Sequence, residues 1–282
     1  MAEKKNNTNT SIKKLSILIS QDGLSFFSSA TPDKKVLFFE KNFEQPLGPE
    51  NILKQLKKIF EAEKISAGGV EKPVVIFTNN LFAFVPRPLF NEKKLADYLK
   101  FNTKILETDF IAFDELENCE VNNVYVPYTN INNYFFEQFG EFDYSHSMSL
   151  WVEKTLQLSE ETPDGTFYVN AFQKHFELSI VKEGKLLLCN SFSFEAPEDF
   201  VYYLLFVAEQ LKLDPEKFQL KFAGAISETS ENYQRCFTYI RNCSFLKEEN
   251  DDRAFSFSEK AKFNPHYFLL SPHFYAYHLR KT

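Results

Sequence analysis

The stretch Leu15-Ser16-Ile17-Leu18-Ile19-Ser20-Gln21-Asp22-Gly23-Leu24-Ser25-Phe26-Phe27-Ser28-Ser29 holds two runs of strand-forming residues around a tripeptide suited to a tight turn. It predicts a β-hairpin, Leu15–Ser20 against Leu24–Ser29. Beyond a turn at Thr31-Pro32-Asp33, Lys35–Lys41 (KVLFFEK) predicts a third strand. A helix is expected over Pro49–Glu63, because Ile52, Leu53, Leu56, Ile59 and Phe60 recur at three and four residues. Gly68-Gly69 closes that connection. Pro73–Asn79 (PVVIFTN) is a continuous apolar run, the pattern of a strand covered on both faces.

Further along, Phe82–Pro86 is expected to extend the same sheet, and Asn91 to cap a helix reaching Phe101. Strands are expected at Phe110–Phe113 and Val121–Pro127, a helix at Asn130–Phe139, a brief strand at Phe142–Tyr144, and a helix over Ser145–Leu158. The turn-rich Glu160–Gly165 marks a boundary. The order then restarts. Thr166–Phe172, His175–Val181 and Lys185–Phe194 predict three strands, with Glu183-Gly184 as a hairpin turn. Pro197–Lys212 follows as a helix with Pro in its first turn and Glu198 and Asp199 at its positive end. Phe218–Ala223 is another buried strand, stopped by Gly224, and Thr229–Ile240 is helical. Both halves therefore run strand, strand, strand, helix, strand, helix, at an offset of about 150 residues. The expected fold class is α/β: two similar lobes, each a mixed sheet of three antiparallel strands followed by helix-strand-helix. Residues 1–12 are expected to be disordered, with lobe one at 13–159 and lobe two at 160–282.

The totals agree with two domains. The chain has 282 residues, 44% hydrophobic and 25% charged, with 33 Phe and 13 Tyr against one Trp. Its net charge of −7 argues against nucleic acid, which is bound by neutralising phosphates. Lys54, Lys57 and Lys58 form the nearest basic cluster, on the solvated face of an amphipathic helix. Cys119, Cys189, Cys236 and Cys243 have no paired spacing, so free thiols are expected. No signal peptide or apolar run of spanning length is legible, and a cytoplasmic location without membrane insertion is the expectation.

The repeated order resembles the actin-like ATPase superfamily, whose two lobes are each ribonuclease-H-like. Val124–Leu158, read as strand, helix, short strand and linking helix, is similar to its pilus-assembly and secretion branch. Leu81–Phe90 (LFAFVPRPLF) and Tyr98–Asn102 (YLKFN) make the chain look like an uncharacterised bacterial family of divergent members. The resemblance covers about residues 13 to 270. It implies an Asp-x-Gly-Thr/Ser hairpin opening lobe one, where Gly lets the backbone approach phosphate. Here that place reads Ser20-Gln21-Asp22-Gly23-Leu24-Ser25: Asp22 and Gly23 persist with altered spacing, as they also would in a plain hairpin turn. The matching lobe-two hairpin, Asn170-Ala171-Phe172-Gln173-Lys174-His175, has neither acid nor glycine. A Gly-rich turn against adenosine is represented by Ala223-Gly224-Ala225-Ile226-Ser227, with one Gly.

Other chemistry is sparse. His266, His273 and His278 lie among aromatics without metal-site spacing. There is no G-x-S-x-G elbow, and Cys119 sits among Glu115, Glu117 and Glu120, which disfavour a thiolate. The core strands Leu15–Ser20 and Val74–Phe77 lack the acids of a ribonuclease-H nuclease. Lys247–Arg253 reads as a solvated charged loop, and the aromatic tail Phe263–Tyr277 as an element closing lobe two. The leading expectation is a non-catalytic actin-like scaffold or adaptor that binds a protein partner and needs no cofactor. The alternative is a divergent nucleotide switch or weak ATPase, taking ATP and magnesium through Asp22, Gly23 and Gly224.

Overall fold

The computed structural model describes residues 11–31, 35–65, 70, 72–101, 104–106, 109–159, 162–246, 256–257 and 267–270. His266, His273, His278, Gly68-Gly69, Lys247–Arg253 and residues 1–10 lie outside them. Lobe one opens with β1 (Ser11–Ser20), so Ser11 and Ile12 belong to a strand rather than to a disordered start. β2 (Gly23–Thr31) and β3 (Lys35–Asn42) complete an antiparallel meander. α1 (Pro49–Ala62) starts on Pro49 and buries Ile52, Leu56, Ile59 and Phe60, the residues its period marks. It carries the chain across to β4 (Val74–Thr78), which pairs in parallel with β1 and is buried at all five residues.

β5 (Phe82–Pro86) does not extend this sheet. With α2 (Leu95–Leu99), β6 (Ala112–Leu116) and β7 (Val121–Tyr125) it forms an inserted unit, a three-stranded antiparallel sheet in the order β5-β7-β6. Its own small core holds Val85, Leu99, Val124 and Val126. Asn91 caps a 3-10 turn ahead of α2, its side chain accepting from Lys93 N, so the helix is shorter than expected. α3 (Thr129–Phe139) and β8 (Asp143–His146) then return to lobe one, β8 lying parallel to β4. Phe60 meets Phe26, Phe135 and Phe139 edge-on at 5.9 to 6.0 Å between centroids, which adds about 1 kcal/mol per pair beyond burial.

α4 (Ser147–Gln157) links the halves and is buried along most of its length, from Ser147 to Glu153 and at Thr155. Lobe two repeats the meander in β9 (Thr166–Ala171), β10 (His175–Lys182) and β11 (Lys185–Ser193). α5 (Pro197–Gln210) crosses to β12 (Gln219–Gly224), parallel to β9. α6 (Glu231–Tyr239) and β13 (Asn242–Phe245) finish it. The sheets read β3-β2-β1-β4-β8 and β11-β10-β9-β12-β13, the same topology twice. Lobe one gains β14 (Ser256–Phe257), parallel to β3. Leu269 and Leu270, in the helical turn Tyr267–Leu270, pack with Leu18, Phe27, Val74 and Ile76. Ser256–Phe257 thus lies against lobe one, while Leu269 and Leu270 share a core with Leu150 of α4 and Phe172 of lobe two as well.

Candidate functional site

The two meander turns face each other across the gap between the lobes. Each has four residues between its last paired positions: Ser20-Gln21-Asp22-Gly23 between Ile19 and Leu24, and Phe172-Gln173-Lys174-His175 between Ala171 and Phe176. In lobe one the Ser20 hydroxyl accepts the amide N–H of Asp22 at 3.1 Å and of Gly23 at 3.0 Å. Two amides that a phosphate would need are thus satisfied within the turn. Gly23 is required by packing, since a Cβ there would lie 2.6 Å from the Lys41 carbonyl oxygen.

In lobe two His175 stacks flat on Phe172, 4.3 Å between centroids and 10° between planes. Its Nδ1 lies 3.0 Å from Asp22 Oδ2. A carboxylate only accepts, so the proton of this bond sits on Nδ1. The bond joins residues 153 apart in sequence and bridges the two turns.

Beside this bridge is a cleft of about 570 Å³, walled by Gln21, Asp22, Thr78, Asn79 and Asn80 from lobe one and Lys174, His175, Ser191, Ser193 and Glu195 from lobe two. Its volume suits a ligand of modest size, and its lining mixes these polar side chains with Pro46 and Phe194. Thr78 and Asn79 stand at the carboxyl end of β4, where open α/β sheets form their crevices. Thr78 Oγ1 and His175 Nε2 are buried there without a hydrogen-bond partner among the described residues. Lys174 shares the wall with Asp22 and Glu195, so the wall carries no surplus of positive charge. On the other side of Asp22, a void of about 20 Å³, the size of a water, touches Ser20, Gly23, Glu40 and Phe172. Burial raises the Glu40 carboxyl above its ordinary range.

These residues do not fit a nucleoside triphosphate. The turn amides are used, the turns touch, and cations are scarce. Asp22 lines the cleft, but Gly23 and Gly224 do not. Gly224 has φ +87°, and a Cβ there would come 2.2 Å from the Ala171 carbonyl oxygen and 2.6 Å from its nitrogen. Its glycine serves the close approach of β12 to β9. His175 and Ser20 are the residues that sequence patterns leave unmarked.

Below the cleft lies a buried polar network. His146 Nε2–H donates to Asn79 O at 3.1 Å and Nδ1 accepts Met148 N–H at 3.1 Å. Both nitrogens are used by the neutral ring, and burial pushes its pKa down to about 3. Asp114 of the inserted sheet accepts from His146 N at 2.9 Å and Tyr125 OH at 3.1 Å, and burial lifts it to about 6. Glu177 on β10 accepts from Ser147 of α4 and from Asn170 Nδ2, and burial raises it as well. Ser149 of α4 accepts from Asn123 Nδ2 at 2.9 Å, and Thr155 meets Ser179 at 2.9 Å.

The duplicated topology and the inserted sheet can now be set beside known proteins. The chain belongs to the DUF3822 family. That family is described as a protein of unknown function, and its model matches residues 2–243. A Bacteroides thetaiotaomicron protein with an actin-like ATPase fold and unknown function superposes with a TM-score of 0.74 at 21% identity, over 90% of this chain and 96% of that one. The PilM-PilN type IV pilus biogenesis complex gives a TM-score of 0.53 at 11% identity, over 92% of this chain and 97% of that one. The family member described here therefore has the actin-like fold. No curated protein matches its sequence. None of its helices, among the described residues, is long and apolar enough to cross a membrane.

Proposed function

We propose that this protein is a non-catalytic, pseudo-ATPase member of the actin-like superfamily, a bacterial cytoplasmic scaffold that binds a protein partner. The observation that carries the reading is the Asp22–His175 bond, made across the position where the fold's nucleotide-binding relatives are expected to grip phosphate. The Ser20 hydroxyl supports it by taking the two turn amides. Partner binding has a precedent in the fold neighbour PilM, solved as a complex with PilN. Free thiols at all four cysteines agree with a reducing compartment.

The test is a thermal-shift series with ATP, ADP and GTP, each with and without magnesium. No shift is expected with any of them. A ligand at a hundred times its Kd stabilises by about 2.7 kcal/mol, so a real site would be visible. A magnesium-dependent shift that Asp22→Ala removes would replace the scaffold reading with a nucleotide switch. For the partner, affinity capture with the full chain is expected to return one stoichiometric protein, whose binding is lost when the cleft residue Lys174 is reversed to Glu.

A further inference from the structure

The sheet of lobe one is buried on both faces, and the two faces are covered from different parts of the chain. Ile17 and Ile19 of β1 and Val75 and Phe77 of β4 share a core with α1 and α3, which follow in sequence. Leu18 of β1, Phe27 of β2 and Val74 and Ile76 of β4 lie on the opposite face, as the alternation of a strand requires. There α4 contributes Leu150. Leu269 and Leu270 complete the cluster, both fully buried, in a helical turn seated against β1 and α4.

The same cluster takes in Phe172, the first residue of the lobe-two turn. His175 lies flat on that ring and bonds Asp22 of lobe one. A contiguous run of packed groups therefore leads from the far end of the chain, through Phe172 and His175, to the wall of the cleft.

The described pieces of that far end are short: a two-residue strand on the edge of β3 and a single helical turn. Elements held by so few backbone bonds open at a lower free energy than the long central strands beneath them, and they can leave while both sheets stay folded. We propose that Ser256–Phe257 and the turn Tyr267–Leu270 form a releasable strap that sets the contact between the lobes. Seated, the strap holds Phe172 in place and with it the His175–Asp22 bond. Released, it frees the lobe-two turn to withdraw and opens that wall of the cleft. The strap goes beyond the scaffold reading and does not depend on what the cleft binds.

Native-state hydrogen exchange of the full chain tests it, following the C2 proton of His175 at one pH beside the amides of β1, β4 and β9. In a urea series the unaltered chain is expected to expose His175 at concentrations where those three strands remain protected. The double variant Leu269→Ala, Leu270→Ala weakens only the strap's hold and is expected to speed His175 exchange by about tenfold or more without urea, the strands keeping their protection. Unchanged His175 exchange in that variant overturns the proposal. So does loss of protection in all three strands together with His175, in the variant or in the urea series, because the far end would then be part of the global core and not a releasable strap.

Discussion

Set side by side, the two turns at the cleft share a length of four residues and little else. Ser20-Gln21-Asp22-Gly23 is small and polar, and folds its hydroxyl back onto its own amides. Phe172-Gln173-Lys174-His175 presents stacked rings and a cation. Strand register has preserved the path of the backbone in both copies, while side chains have changed what each turn can grip. A turn whose amides are already satisfied meets a histidine of the other lobe.

The largest expected effect comes from the strand behind the lobe-two turn. Gly224→Ala drives a Cβ into Ala171 backbone at a positive φ, and a loss of about 4 kcal/mol or failure to fold is expected, read by urea denaturation. Phe172→Ala removes a buried ring and the surface on which His175 rests. A loss of about 3 kcal/mol is expected, together with a changed His175 imidazole resonance by NMR. The equivalent change in lobe one, Ser20→Ala, leaves two turn amides unsatisfied and is expected to cost about 1 to 2 kcal/mol with no change in the His175 ring. Equal losses from Phe172→Ala and Ser20→Ala would mean that the turns carry the same load.

The smallest expected effect is on pH dependence, where two buried groups oppose each other. His146 has its pKa lowered from 6.5 to about 3, so the stability linked to its neutral form is full above 6.5 and falls with acidification. Asp114 is raised from 3.8 to about 6, so its contribution is full below 3.8 and lost as pH rises through about 6. Between pH 6.5 and about 4 the histidine loses roughly 3 kcal/mol and the carboxyl returns about 2. The net acid loss is about 1 kcal/mol, measurable by urea melts at the two ends of that range. Asp114→Asn removes the offset and is expected to steepen the loss. An unchanged slope would show that Asp114 does not titrate in this window.

Much of this fold is legible in the sequence because its strands announce themselves locally. The Leu15–Ser29 hairpin, the buried run of β4 and the helical period of α1 all match the structure. The inserted sheet is not legible, because Phe82–Pro86 is an ordinary strand whose partner, β7, is set by contacts some forty residues away. β13 (NCSF) is four residues long with no apolar run and earns its place only by pairing with β12. At the site, Asp22 is marked by its turn. His175 acquires a role only when lobe two is folded against lobe one, a relation that no local pattern encodes.

The linking helix α4 has a mechanical consequence. Ser147 is pinned to Glu177, Thr155 to Ser179 and Ser149 to Asn123, all in the dry interior between the lobes and the inserted sheet. The first two fasten α4 to lobe two and the third to the inserted sheet, so parting lobe two from that sheet would break the buried Ser149–Asn123 bond. The linking helix is thus a key seated in two locks, with lobe two on one side and the inserted sheet on the other.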